Sequence, residues 1–341
     1  MPAPTTATSQ RLVMAACWQG PAPRREMQQA RLAAWLLREL GQELRAMAPV
    51  GGGCIHRAWR LELADGGLLF AKTNHADLLP VLAAEADGLK ALSQVQESSQ
   101  AKAAPTVAAL TSAPTGLMIP SPLQLAELDG TALLLLSWLE LGGRPANAEG
   151  AWHRLGAELA ALHRSSLVGH DGRFGWGQDN FIGSGPQANG WHSSWGRFFA
   201  EQRLGRQLAW AARSGQRLVE GDALLEQVPA WLADHPAEPC LVHGDLWSGN
   251  ASLLAGGGGA LFDPAVYRGD REVDLAMAQL FGGFPPTFFA GYEAAWPLPA
   301  GHRQRLELYN LYHLLNHANL FGGGYWSQAE RSIAALLRQW G

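Results

Sequence analysis

The chain has 341 residues, 47% of them hydrophobic, and a formal net charge of −4. That size and apolar content exclude global disorder and support two domains or one large two-lobed unit. A slightly acidic chain without a basic stripe excludes nucleic acid as a partner.

Residues 1–25 are expected to form a flexible extension. The stretch "RLVMAACWQG" ahead of Cys17 has too short an apolar run to be a secretory leader. Leu32, Leu36, Leu40 and Leu44 recur at fourfold spacing, which predicts an amphipathic helix over 27–47. Gly51-Gly52-Gly53 then marks a turn. Alternation through Trp59, Leu61 and Leu63, an Asp-Gly-Gly turn and a strand ending at Lys72 predict a hairpin. A helix over 77–95 carries Glu85, and residues 96–121, rich in Ser, Gln, Ala, Thr and Pro, read as a linker or surface insertion. Strands over 123–128 and 131–138 meet at Asp129-Gly130. After Asn147 the pattern turns helical, apart from two short strands flanking Gly256–Gly259 within 240–266. The expected fold class is α+β: a small β-rich N-terminal lobe over 26–140 and a larger, mainly helical C-terminal lobe over 141–341. No apolar run reaches the roughly 18 residues of a membrane span. Cys17, Cys54 and Cys240 form no CxxC pair, so neither a disulfide framework nor a zinc site follows, and a cytoplasmic location is expected.

The densest chemistry lies in "LVHGDLWSGN" at 241–250 and "LFDPA" at 261–265. His243, Asp245 and Asn250 have the kinase catalytic-loop spacing H-x-D-x-x-x-x-N, and Asp263 stands where kinases carry the Asp of D-F-G. In that chemistry Asp245 accepts or orients the proton of a substrate hydroxyl, while Asn250 and Asp263 hold Mg²⁺ against a triphosphate. Each of these residues alone also reads as an ordinary turn former. Lys72 fits the lysine that grips the α- and β-phosphates and Glu85 its ion-pair partner. Gly51, Gly52 and Gly53 would let backbone N–H groups approach phosphate, or serve only as a flexible joint.

"HGDLWSGN", "FDPAVYRGDREVDLAM", "QLFGGF", "LYNLYHLLNHANLFGGGY" and "FGWGQDNFIGSGPQANGW" together resemble the fructosamine kinase, or ketosamine 3-kinase, family. The resemblance spans about residues 30–338 and leaves out the first 25 residues, the stretch 96–116 and the Gly256–Gly259 turn. It implies a two-lobed protein-kinase-like fold, related to aminoglycoside and choline phosphotransferases. It also implies ATP and Mg²⁺ as cofactors, and phosphorylation of the sugar 3-hydroxyl of a small-molecule or protein-bound ketosamine. The phosphorylated adduct then falls off and the amine is repaired. Carried over, Asp245 is the base, Asn250 and Asp263 the metal ligands, Lys72 and Glu85 the phosphate-binding pair. The segment "LSWLELG" supplies the adenine-binding backbone near Trp138 and Leu139.

Further residues carry two readings each. Trp247 is either a sugar-stacking indole or a packed loop residue, and Trp191 and Trp195 are either core or a sugar groove. Asn316 and His317 are read as packing or pocket-lining residues, with no H-E-x-x-H pattern at His313 and His317 to support zinc. Asp270 and Asp274 are expected to brace the catalytic loop or cap the next helix. Cys54, behind the triple glycine, is a candidate redox switch and otherwise a small buried residue. A monomer or weak homodimer is expected. The competing functions are transfer to an aminoglycoside- or choline-type acceptor, and a binding module without activity.

Overall fold

The structure, a computed structural model, describes residues 25–51, 55–100 and 116–340. Two compact units divide the chain: one runs to Ala86 and resumes over Ser121–Leu139, and the other holds Asp87–Pro120 and the chain from Glu140.

The first unit contains helix α1 (Arg25–Leu40) and strands β1 (Leu44–Val50), β2 (Arg57–Leu63), β3 (Leu68–His75), β4 (Pro122–Leu128) and β5 (Thr131–Ser137). The strands form an antiparallel sheet in the order β1-β2-β3-β5-β4. Leu32, Trp35 and Leu36 of α1 pack on Trp59, Leu61, Ala71, Leu133 and Leu135 of the sheet. Helix α1 stops at Leu40 and does not run to residue 47. Gly41 takes a φ of +65° and returns its N–H to the Leu37 carbonyl at 3.1 Å, a glycine stop. Leu44 continues the leucine spacing yet reaches the same core from a strand, so periodicity alone could not separate the two. The turns follow their chemistry. Asp65 Oδ1 accepts from Gly67 N at 2.8 Å, and Asp129-Gly130 takes φ of +46° and +81°, both positive as a type I′ hairpin requires.

Helix α2 (Leu79–Gln100) spans the division between units. It extends past the expected start of the linker, and Leu117 and Ile119 beyond it are buried rather than surface residues. Met118 forms a bridge to Ala260, with its N–H on the Gly259 carbonyl at 2.8 Å. Residues 101–115 of the expected insertion and 1–24 of the expected extension lie outside the described residues.

The second unit is built on α3 (Ala148–Ser165), whose Asn147 cap accepts from Gly150 N, on a π-helical segment Phe199–Gly205, and on a series of shorter elements. These are β6 (Asn180–Ile182), β7 (Gly185–Gln187), α4 (Trp195–Phe198), α5 (Arg206–Arg213), α6 (Gly221–Trp231), β8 (Cys240–Val242), β9 (Ala251–Leu253) and β10 (Gly259–Leu261). Strand β11 (Tyr267–Gly269) and helices α7 (Glu272–Leu280), α8 (Pro286–Ala295), α9 (His302–Phe321) and α10 (Gly324–Trp340) complete it. The strands pair as three antiparallel ribbons, β6-β7, β8-β11 and β9-β10. Helices α3 and α8 meet backbone to backbone. A Cβ on Gly156 would overlap the Phe288 carbonyl, and one on Gly291 the His153 carbonyl. Trp195 does not line a groove. It is 4% exposed and stacks with Phe198 in the core, its indole N–H donating to Tyr309 Oη at 3.0 Å.

Candidate active site

Strand β8 feeds directly into the loop 243–250, and the β9-β10 hairpin returns the chain to Phe262 and Asp263 beside it. Phe262 N donates to the Asn250 carbonyl at 3.0 Å, and Ala265 N to the His243 carbonyl at 2.8 Å. Gly244 has a φ of +80°, and a Cβ there would overlap the Ala265 carbonyl, so only glycine lets the two segments touch. Asn250, 5% exposed, ties the loop together through Nδ2, which donates to the Asp245 carbonyl at 2.9 Å, Asp245 Oδ2 at 3.1 Å and the Asp263 carbonyl at 3.3 Å. Asp245, Asn250 and Asp263 are therefore brought together as the spacing anticipates. Asp263 itself sits at φ +56°, a left-handed conformation held by its neighbours.

His243 is fully buried, and burial holds its imidazole below the ordinary value and neutral. Its Nε2–H donates to the Phe262 carbonyl at 3.0 Å, while Nδ1 accepts from Asp245 N at 3.3 Å. Beneath the loop lies Asp274 of α7, 1% exposed. Its Oδ2 accepts from His243 N at 2.7 Å and its Oδ1 from Gly244 N at 2.8 Å. His163 Nε2 lies 3.1 Å from Oδ2, and His163 Nδ1 2.9 Å from the Tyr292 hydroxyl. Burial opposes the charge on Asp274, yet His163, His243 and the Gly244 N–H together hold it below the usual carboxylate range. Asp274 is thus the brace of the loop 243–250. Asp270 does not reach the loop and sits in the turn before α7, its Oδ1 accepting from Glu272 N at 3.2 Å.

The Asp245 carboxyl is pushed up to about 7, first by burial and then by the charge of Asp263. Asp245 feels the charge of Asp263, and a cation held by the Asp263 carboxylate and the Asn250 side-chain oxygen, hard oxygen donors of the kind Mg²⁺ prefers, would relieve that repulsion. The residues fit the ion. Among the described residues, the one three-ligand cluster is elsewhere, at His235, Asp270 and Glu272. There Arg305 grips Glu272 with two bonds of 2.7 and 2.8 Å and Tyr309 donates to Asp270 at 2.6 Å, which closes the cluster as an ion network.

In the first unit, Lys72 on β3 and Glu85 on α2 form a buried ion pair of 2.7 Å, with side chains 8% and 9% exposed. Trp138 and Leu139 follow β5 and are half-buried, with Trp138 6.3 Å from the Phe70 ring. Gly51 is exposed at the end of β1. Gly52, Gly53 and Cys54 lie outside the described residues. In the second unit, Trp247 is half-buried with its indole folded over Gly249. Asn316 and His317 stand on α9. Asn316 Oδ1 accepts from Gln207 Nε2 at 3.2 Å, and His317 packs against Phe281, Phe321 and Tyr325.

The family comparison decides among kinase-like enzymes. A sequence profile described as fructosamine kinase matches residues 28–339. The chain belongs to the fructosamine kinase family. Within this family's relatives, a probable ketoamine kinase of Synechocystis is 42% identical over 290 residues, covering 85% of this chain and 89% of that protein. A chloroplastic protein-ribulosamine 3-kinase of Arabidopsis thaliana is 34% identical, covering 89% and 86%. The crystal structure of a candidate fructosamine-3-kinase of Haemophilus somnus superposes with a TM-score of 0.75 at 25% identity, covering 90% and 96%. The two-lobed α+β fold extends to aminoglycoside phosphotransferase APH(4)-Ia, at a TM-score of 0.57 and 18% identity over 90% of this chain and 98% of that one.

Of the two expected roles for Asp274, bracing the loop is the one the hydrogen bonds bear out. The sequence reading missed Asn180 and Gln187, whose hairpin β6-β7 lies within "FGWGQDNFIGSGPQANGW", a motif to which no chemistry was attached.

Proposed function

We propose that the protein transfers the γ-phosphoryl group of ATP to the 3-hydroxyl of the sugar in a ketosamine, a deglycation activity. The observation that carries this reading is the Asp245–Asn250–Asp263 constellation in a member of the fructosamine kinase family. The names of the relatives supply the ketosamine class.

Asn250 and Asp263 would hold Mg²⁺, which supplies charge neutralisation on the triphosphate. Asp245 takes the proton of the 3-hydroxyl as that oxygen bonds to the γ-phosphorus and the bond to ADP breaks. A carboxyl near neutral in its affinity for protons is suited to that transfer. Asp274 keeps the His243-Gly244 backbone fixed beneath it. In the first unit, Lys72, oriented by Glu85, would bind the α- and β-phosphates, and the backbone at Trp138 and Leu139 the adenine.

Incubation with labelled ATP and ribulosamine, fructosamine or an aminoglycoside in parallel tests the reading. Labelled ribulosamine or fructosamine, with phosphorus at C3 by NMR and subsequent release of the amine, is expected. Labelling of the aminoglycoside alone, or at another carbon, would overturn it.

A further inference from the structure

The amide of Gln187, at the end of β7, is 1% exposed and makes three hydrogen bonds. Its Oε1 accepts from the Tyr312 hydroxyl at 2.7 Å, and its Nε2 donates to Asn180 Oδ1 at 2.8 Å and to the Ala265 carbonyl at 3.0 Å. Asn180 Nδ2 donates in turn to the Val266 carbonyl at 2.7 Å. The hairpin β6-β7 therefore grips the two residues that follow Asp263-Pro264. On its other side the Ala265 peptide faces the catalytic loop, with its N–H on the His243 carbonyl and its own carbonyl against the Gly244 Cα. The hairpin is itself anchored, because Asn189 Nδ2 donates to Asn180 Oδ1 and Asn189 Oδ1 accepts from the buried Arg203 guanidinium, both at 2.8 Å.

This arrangement bears on the φ of +56° at Asp263. Aspartate tolerates a left-handed conformation better than most residues, yet it is held there against its extended alternatives by what its flanks bond to. The Asn250 amide secures the Asp263 carbonyl on one flank, and Gln187 secures the Ala265 carbonyl on the other. We propose that Gln187 is a positioning residue that fixes the Asp263 turn, and with it the direction of the metal-binding carboxylate. It touches no reacting group. The inference rests on the proposed role of Asp263 as a metal ligand.

The test is a Mn²⁺ titration of the whole protein in the presence of ADP, read by electron paramagnetic resonance, with thermal unfolding measured alongside. Gln187→Met keeps the side-chain length and removes every polar bond. It is expected to weaken Mn²⁺ by about tenfold, the equilibrium equivalent of one lost buried hydrogen bond. Asn147→Ala is the control. It removes the cap that accepts from Gly150 N at 2.8 Å in the same unit, and leaves Gln187, Tyr312 and Ala265 untouched. It is expected to lower the melting temperature while keeping Mn²⁺ affinity. Tyr312→Phe, which removes only the hydroxyl donated to Gln187, serves if Gln187→Met does not fold, and is expected to weaken Mn²⁺ by roughly threefold. Unchanged Mn²⁺ affinity in the Gln187 and Tyr312 variants, or an equal loss in Asn147→Ala, would overturn the proposal. Asp263→Ala separates the two levels: if it binds Mn²⁺ like the wild type, the metal role of Asp263 fails. If it loses Mn²⁺ while Gln187→Met does not, only the positioning role fails.

Discussion

Replacing Asp274 by Asn should uncouple the catalytic loop from the core with the smallest possible change of shape. The carboxylate accepts from His243 N at 2.7 Å, Gly244 N at 2.8 Å and His163 Nε2 at 3.1 Å, at a position 1% exposed. The two backbone N–H groups use different oxygens, so an amide at this position turns an NH₂ toward one of them whichever way it flips. At least one buried donor then loses its acceptor, and the remaining bonds lose their charge assistance. A hydrogen bond to a charged group contributes about 1.5–3 kcal/mol and an orphaned buried donor costs about 1–3 kcal/mol. Together a loss of about 3 kcal/mol is expected for Asp274→Asn, and more for Asp274→Ala, which also leaves a cavity.

In a unit of this size 1 kcal/mol corresponds to about 2–4 °C, so the melting temperature should fall by about 6–12 °C in a calorimetric scan. The pH dependence gives the sign. The folded carboxyl lies below its ordinary value of 3.8, so its contribution is complete above pH 3.8 and is lost as the pH falls through the lower folded value. The difference between wild type and Asp274→Asn should therefore hold from neutral pH down to 3.8 and shrink below it. Turnover should fall with little change in nucleotide affinity, because the residue orients the loop and touches no ligand. A variant that melts within about 2 °C of wild type at neutral pH and turns over normally would refute the brace.

Asp245→Asn should lower turnover by about two orders of magnitude or more. It should also raise the melting temperature above pH 7, since the wild-type carboxyl is pushed up to about 7 by burial and Asp263, and that gain should vanish below pH 3.8. Lys72→Met removes the ammonium 2.7 Å from Glu85 and should cost about 3–5 kcal/mol, while Lys72→Met with Glu85→Leu should recover most of the stability and none of the ATP binding by calorimetry. Gly156→Ala drives a methyl into the Phe288 carbonyl and should cost about 3 kcal/mol or prevent folding, seen as lost expression or a lowered urea midpoint.

What was legible in the sequence had a local signature. The β4-β5 hairpin at Asp129-Gly130 and the Asn147-capped α3 carry their own turn and cap residues, so pattern and structure agree within a residue or two. Asp245, Asn250 and Asp263 were legible because one loop and one strand end must supply them at fixed spacing. The end of α1 was misread because Leu44 keeps helical spacing while entering a strand, and only Gly41 carried the correct signal.

The role of Gln187 had no such signature, and that of Asp274 was legible only as a choice between brace and cap. Each works by bonding backbone groups of a distant segment: Asp274 the N–H groups of His243 and Gly244, Gln187 the carbonyl of Ala265. Any residue type offers the same N–H and C=O, so the partner leaves no mark in the sequence, and the separation of 31 or 78 residues obeys no period. What does leave a mark is the geometry they impose. Gly244 is the residue that lets the Ala265 carbonyl approach, and the aspartate at 263 tolerates a positive φ that a β-branched residue would resist. A valine at 263 would therefore fail twice, once for lack of a carboxylate and once for the turn. An asparagine there would keep the turn and lose only the charge.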